Sequence, residues 1–450
     1  MISSFSSECL LNIFENFLTG NNDLKNCILV NRNWSSLAIS VLWKNPLTET
    51  LKVKQSISVI TTYITCLPQE SKDSLIANGL QLPEKVLRRE LYDYPSHLQI
   101  LNYQNLYDAI IDWIEESHQE DIMFHQYQLL DHIFRMFMVK CINIRRIDIS
   151  NLDDSTKIIH FPLLPNSDEF LSNVKEFSCN GSRNSDFIYL LSQKCTQINS
   201  FHLKGQNNGL ARLIDMQKVP IKSLEVDFRT MPILSIEKVI QKNSNSITKL
   251  KLTGSSRLFR IDCQNLKELV LDLNMDLVGL AKKFGVSIFP KLVKLDISII
   301  NLNLKFICKF LKNHGGIKYL YIRKSCYLAY LNDTSEIGDL MKILVKYCHN
   351  LVEYRGPFSI LYEEINECFL LKLFKACLNL EKLWFWGENQ LVNISELVTI
   401  LSNYVPKRLN TLYMDPLWVI DVDSLDIFLN EHKNLDLDIP FLKTSREEYV

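Results

Sequence analysis

Glycine and proline are scarce in this chain. Thirteen of each among 450 residues make about 6%, roughly half the usual ~12% of globular proteins, so tight turns and irregular loops have little room. The twelve cysteines contain no Cys-x-x-Cys pair, which leaves out the paired-thiol spacing of zinc ribbons and redox motifs. No basic-then-apolar segment opens the chain either, so the thiols are expected to be reduced and the protein intracellular, in the cytoplasm or the nucleus. Neither sign of charge is in excess: 50 Lys plus Arg face 51 Asp plus Glu. That balance favours neither nucleic acid nor an acidic membrane surface as partner. No apolar run reaches the ~18 residues of a membrane span. Also missing are a Gly-x-Gly-x-x-Gly loop, a phosphate-binding loop, a Gly-x-Ser-x-Gly elbow and a His-Glu-x-x-His pair. No catalysis, no cofactor and no metal site is therefore expected.

Leucine is abundant instead, at 69 residues, within a chain that is 47% hydrophobic and 22% charged. That is the balance of a folded protein with a long core. In the first 47 residues, Leu10, Ile13, Phe14, Phe17 and Leu18 stand at helical spacing after Ser6-Ser7, which predicts a capped amphipathic helix over 6–18. Asp23 opens a second short helix with Leu24, Cys27 and Ile28, and Trp34, Leu37, Ala38, Val41 and Leu42 mark a third. Three helices in ~40 residues bury too little apolar surface to be comfortable alone, so some of it is expected to meet a partner or the next segment.

These residues carry a resemblance. Glu8-Cys9-Leu10 through Ile13-Phe14, Asp23-Leu24, Val30-Asn31-Arg32-Asn33-Trp34 through Leu37-Ala38, and Leu42-Trp43 look like the F-box, with Phe5-Ser6 standing where the family has Leu-Pro. The resemblance implies a module that binds the Skp adaptor, and through it the cullin–RING core, of an SCF-type ubiquitin ligase. The adaptor-binding residues it implies are Phe5, Glu8, Leu10, Ile13, Phe14, Leu18, Leu24, Val30 and Trp34.

Residues 48–140 show helix-length apolar stripes and no strand alternation. Leu106, Ile110, Trp113 and Ile114 form one stripe, and Tyr127, Leu130, Phe134, Phe137 and Cys141 another. A helical linker is expected here. His118, His125 and His132 fall seven apart; on one helix that is a rise of about 10.5 Å per step, too far for a shared ion with ligands at ~2 Å.

From 141 onward an apolar-x-x-apolar-x-apolar signature recurs, beginning at Ile144, Val174, Ile198, Ile221, Ile247, Leu266, Leu292, Ile317, Leu380 and Leu409, with a weaker copy at Leu351. The mean period is about 26.5 residues, inside the ~20–29 of leucine-rich repeats. Five copies are preceded by a cysteine three residues earlier: Cys141, Cys195, Cys263, Cys348 and Cys377. His432-Lys433-Asn434-Leu435 reads as a degenerate last copy. The pattern predicts a helix ending at a small buried Cys, then an Asn or Gln that bonds turn backbone, then a strand.

This resembles the cysteine-containing leucine-rich repeats that follow the F-box in many substrate adaptors. The fold class expected is thus an α/β solenoid, a leucine-rich-repeat arc over 141–450, preceded by an all-α F-box over 1–47 and a helical linker over 48–140. Strand side chains alternate, so the residues between the apolar positions should face out. In the carboxy-terminal half these turn aromatic and basic: Tyr319, Tyr321, Arg323, Arg355, Trp384, Trp386 and Tyr413. Such types dominate interface hot spots, and these seven are the candidate contacts for an unknown protein substrate. The function expected is substrate recognition within an SCF-type ligase; the alternative is a leucine-rich-repeat scaffold outside any ligase.

Overall fold

In the computed structural model, described residues are 6–16, 21–48, 50–88, 90–117, 121–152, 156, 158–180, 185–205, 208–227, 233–254, 262–273, 289–299, 304–324, 334–358, 369–386, 392–395, 398, 402–413, 418–433 and 435–438. The chain divides into two compact units, Met1–Ile221 and Lys222–Val450. Both are built from the same repeat, a short strand followed in most copies by a helix that covers one sheet face, and the strand pairings among the described residues are parallel. The architecture is a leucine-rich-repeat solenoid with an all-α region at its amino terminus.

Unit 1 opens with three helices, α1 (Ser7–Asn16), α2 (Asn21–Ile28) and α3 (Arg32–Leu42). Asn31 starts α3 by accepting the Trp34 N–H at 2.9 Å on its side chain, as a cap should. Phe14, Leu24, Cys27, Ala38 and Val41 close a small core of their own, with the Trp34 ring edge-on to Phe14 at 5.3 Å. Next come α4 (Val53–Thr65), α5 (Gln69–Ala77), β1 (Ile100–Asn102), α6 (Tyr103–Glu116), α7 (Ile122–Lys140) and β2 (Arg146–Ile149). The unit ends with α8 (Ser167–Ser172), β3 (Glu176–Asn180), α9 (Ser185–Lys194), β4 (Ser200–Lys204) and α10 (Asn208–Asp215).

Strand β1 lies within the stretch where the sequence pattern predicts helices alone. It is three residues long, too short for an alternation to register, and it pairs with β2 from Ile100↔Arg146 to Asn102↔Asp148. The predicted stripe on α6 is buried throughout. On α7, Leu130, Phe134 and Phe137 are buried but Tyr127 is 48% exposed; Gln126, Leu129 and Ile133 take the inward positions instead. His125 and His132 sit two turns apart on that one helix, and His118 lies outside the described residues. No group of three metal-ligating side chains occurs among the described residues.

Unit 2 carries β5 (Ser223–Asp227), α11 (Ile233–Lys242), β6 (Lys249–Gly254), β7 (Glu268–Leu273), β8 (Lys294–Ile299), α12 (Leu304–Lys312), β9 (Tyr319–Lys324) and α13 (Thr334–Tyr347). It continues through β10 (Glu353–Pro357), α14 (Phe369–Ala376), β11 (Lys382–Trp386), β12 (Val392–Asn393), β13 (Thr411–Tyr413), β14 (Trp418–Val419), α15 (Val422–Glu431) and β15 (Asp436–Asp438). Strands β12 and β14 form a separate small pair. No described helix is long and apolar enough to cross a membrane.

One backbone device repeats through both units. The carbonyl just before a strand accepts two successive N–H groups from the next copy: Arg145 O takes those of Lys175 and Glu176 at 2.8 and 2.9 Å, and Val352 O takes those of Glu381 and Lys382 at 2.8 and 3.1 Å. In unit 1 the series starts at Lys44, whose carbonyl accepts from Gln99 and Ile100 at 3.0 Å each, followed by Gln99 O with Arg145 and Arg146. The end of the three-helix module therefore occupies the position of a preceding repeat. Aromatic packing reinforces this join, with Trp43 against Tyr63 at 5.4 Å and against Tyr94 at 4.6 Å.

The predicted Cys turn is present. Cys141, Cys195, Cys348 and Cys377 each follow a helix, donate their N–H to the carbonyl four residues back at 2.8–2.9 Å, and are at most 1% exposed. The Cys377 thiol donates to Cys348 O of the preceding copy at 3.3 Å. Asparagines beside the turn also reach across copies: Asn173 donates to Ile142 O and Asn265 to Asn245 O. His432 fills the Cys position in the last copy, its ring 4.9 Å from Phe428 and its carbonyl accepting the Leu435 N–H at 3.0 Å.

Candidate protein interaction surfaces

Two surfaces were predicted from sequence, one in each unit. In the three-helix module the implied adaptor-binding residues separate by burial. Leu10, Phe14 and Leu24 are 3% exposed or less and hold the module together. Trp34 is half-buried against Phe14, while Glu8 is exposed. Ile13 and Val30 are exposed at 40% and 55%. Leu29 is 84% exposed, and the sequence pattern passes it over because it lies past the last core position of α2. Phe5 and Leu18 lie outside the described residues. Three large apolar side chains are thus left in water beside a core that is already closed.

On the unit 2 sheet, burial alternates along the strands. Leu320, Ile322, Leu383 and Phe385 are 1% exposed or less, while Tyr319, Tyr321, Trp384, Trp386 and Tyr413 are half-buried and Arg323 and Arg355 exposed. Parallel register brings Asp296, Tyr321, Arg355, Trp384 and Tyr413 into one row across β8, β9, β10, β11 and β13. The Arg355 guanidinium carbon lies 3.9 Å from the Trp384 ring centre and 5.1 Å from that of Tyr321, a cation–π arrangement. Arg355 Nε donates to Glu353 at 2.7 Å. Arg323 grips the Asp296 carboxylate with two N–H groups, Nε at 2.7 Å and Nη2. Burial first, and then the nearby Glu353 carboxylate, push the Tyr321 phenol up.

Trp386 is more tightly held than an outward-facing residue need be. The pairing of β9 with β10 spans three residues, ending at Arg355↔Tyr321, and beyond it the Ile322 carbonyl accepts the Trp386 indole N–H at 3.0 Å. In unit 1 the equivalent positions of β2 and β3 are closed. Asp148 and Ser178 are 9% and 3% exposed, because Arg146 reaches to both and Ser150 donates twice to Asp148. Burial would raise the Asp148 carboxyl, but these Ser150 and Arg146 contacts outweigh it and hold the group below its ordinary value.

Two other sequence features have structural roles. Gly315 faces the Tyr347 carbonyl of the next copy so closely that an added Cβ would collide with it. Asp421, in Asp421-Val422-Asp423, caps α15 by accepting the Ser424 N–H at 2.7 Å.

No protein-family model matches the chain, and no curated protein matches it. Among solved structures, a chain of the yeast Rad7–Elc1 complex aligns over 93% of this chain and 95% of its own length, with 13% identity and a TM-score of 0.42. The leucine-rich repeat-containing protein LegL7 from Legionella pneumophila aligns over 65% of this chain and 92% of its own, with 14% identity and a TM-score of 0.35.

Proposed function

We propose that this chain is a non-catalytic recognition subunit of an SCF-type cullin–RING ubiquitin ligase, whose amino-terminal module binds the Skp adaptor and whose unit 2 sheet face binds the target protein. The observation that carries the reading is the exposure of Ile13, Leu29 and Val30 on a module whose residues follow the F-box pattern and whose core is complete without them. Large apolar side chains left exposed beside a closed core support this reading. The chain's contribution to ubiquitin transfer would be proximity, converting an encounter in solution into a held one.

The test is co-purification of the Skp adaptor with the full chain and with Ile13→Asp/Val30→Asp, which leaves Phe14 and Leu24 in place. The wild type is expected to retain the adaptor, and the variant to lose at least tenfold in affinity with an unchanged circular dichroism spectrum. A folded wild-type chain that captures no adaptor, or a variant that captures it equally well, overturns the reading. Adaptor capture without ubiquitination of any bound partner would leave a scaffold in place of a ligase subunit.

A further inference from the structure

The row on the unit 2 sheet has an uneven vertical distribution of charge. The acid of each arginine pair lies deep, with side-chain exposures of 5% for Asp296 and 9% for Glu353, while Arg323 and Arg355 stand above them at 56% and 46%. An approaching ligand therefore meets guanidinium N–H groups before it meets carboxylates. Glu353 is a fixed floor: it accepts from Arg355 Nε at 2.7 Å, so it orients the guanidinium instead of competing for its outer edge. The Trp384 ring, 3.9 Å away, holds the same plane from the side. A guanidinium locked through Nε and one face keeps little freedom to lose on binding, which is what makes a polar contact contribute to affinity.

The two arginines are not equivalent. Arg323 gives Nε and Nη2 to Asp296, which uses its two-pronged edge. Arg355 gives only Nε to Glu353, and no other hydrogen bond of Arg355 occurs among the described residues. Its Nη1 and Nη2 edge remains, with two parallel N–H groups spaced to meet the two oxygens of a carboxylate. On either side lie the half-buried rings of Tyr321 and Trp384, with Tyr413 next in the row, able to cover the apolar part of a peptide.

Resting on the reading of this face as the target-binding surface, we infer that it binds an acidic peptide segment, with one Asp or Glu carboxylate seated end-on against Arg355 and neighbouring side chains packed on Tyr321, Trp384 and Tyr413. The Glu353 carboxylate lies on the far side of the guanidinium from this ligand. Lysine cannot replace Arg355 here, because an ammonium neither lies flat on an indole nor presents two parallel donors.

The experiment selects a displayed library of random 12-residue peptides on the immobilised full-length chain. Recovered peptides are then measured against Arg355→Lys, Arg355→Met and Trp384→Ala, each checked for an unchanged melting temperature. The expected result is enrichment of peptides carrying an Asp or Glu, with affinity falling at least tenfold in both Arg355 variants and in Trp384→Ala. Changing that acidic residue to Asn or Gln in the peptide should cost the same factor on the wild type and nothing further on Arg355→Met. Enriched peptides without an acid, or acidic peptides bound equally by Arg355→Met, overturn the inference. If those peptides still depend on Trp384, the face remains a binding surface and only the acidic ligand is refuted. If none depends on Trp384 or Arg355, the face itself fails with it. Adaptor capture by the amino-terminal module is a separate measurement and is indifferent to all of these results.

Discussion

His314 shows how one side chain can be committed to a single protonation state. It is 5% exposed, stacks on Phe310 at 3.9 Å, and its two ring nitrogens have opposite duties. Nε2 accepts the Phe289 N–H at 2.9 Å, so the proton is on Nδ1, 2.7 Å from Phe310 O. Burial lowers its pKa from the ordinary 6.5. The folded form thus resists a proton that the unfolded chain accepts, and stability is full above about pH 6.5 and falls as pH drops from there through the lowered folded value. Thermal melts between pH 8 and pH 5 should show a steeper acid loss in the wild type than in His314→Phe. That variant should itself be about 1–3 kcal/mol less stable at pH 8, because the Phe289 N–H is left without its acceptor. Equal slopes would show that His314 is not the group responsible. A neighbouring size match explains the weak repeat at Leu351: Tyr354 is fully buried, and a Cβ on Gly356 would come within 2.6 Å of its ring carbon. A large residue at one core position requires the smallest at the next.

At the scale of the element, the copies at Cys141, Cys195, Cys348 and Cys377 are closed by a small buried group at the helix end. Cysteine suits this position because its thiol is compact and apolar and can still donate weakly to a carbonyl. Burial pushes the thiols of Cys195, Cys348 and Cys377 up to about 12, where almost no thiolate exists at neutral pH and reaction with electrophiles is suppressed. Brief alkylation of the native protein at pH 7.5, followed by mass spectrometry, should therefore label exposed Cys9 at least tenfold faster than Cys348 or Cys377, and unfolding should abolish the difference. Rapid native labelling of Cys348 would mean that the turn opens on its own. The Cys position was legible in sequence because it recurs at a constant offset. Strand β1 was not, because three residues carry no periodicity and its existence depends on β2, more than 40 residues away.

Across unit 1 as a whole, the three-helix module leaves Ile13, Leu29 and Val30 exposed, while its end, through Trp43 and the Lys44 carbonyl, packs at the start of β1. An uncovered strand edge is a template for pairing with another chain. Residues 48–450 expressed alone are expected to melt several degrees below the full chain and to form higher-order species in size-exclusion chromatography. An unchanged melt and a monomeric profile would show that the cap is dispensable. The proposed adaptor binding is for this reason better tested by surface substitution than by truncation, since deletion of the module removes a structural cap together with the proposed docking surface.

The fold class was determined by the sequence alone: the apolar signature, its period and the Cys turn depend on which residue types are buried, and burial follows from side-chain chemistry at nearby positions. The outward alternation on β9 to β13 was legible for the same reason. Which side chains of the three-helix module are core and which are surface was decided only by tertiary structure, since one helix face must be divided between two neighbours. The pairing of Arg355 with Trp384 and Tyr321 was decided there too. Those two partners lie on the flanking strands, each about 30 residues of chain away, and only the parallel register brings them into one row.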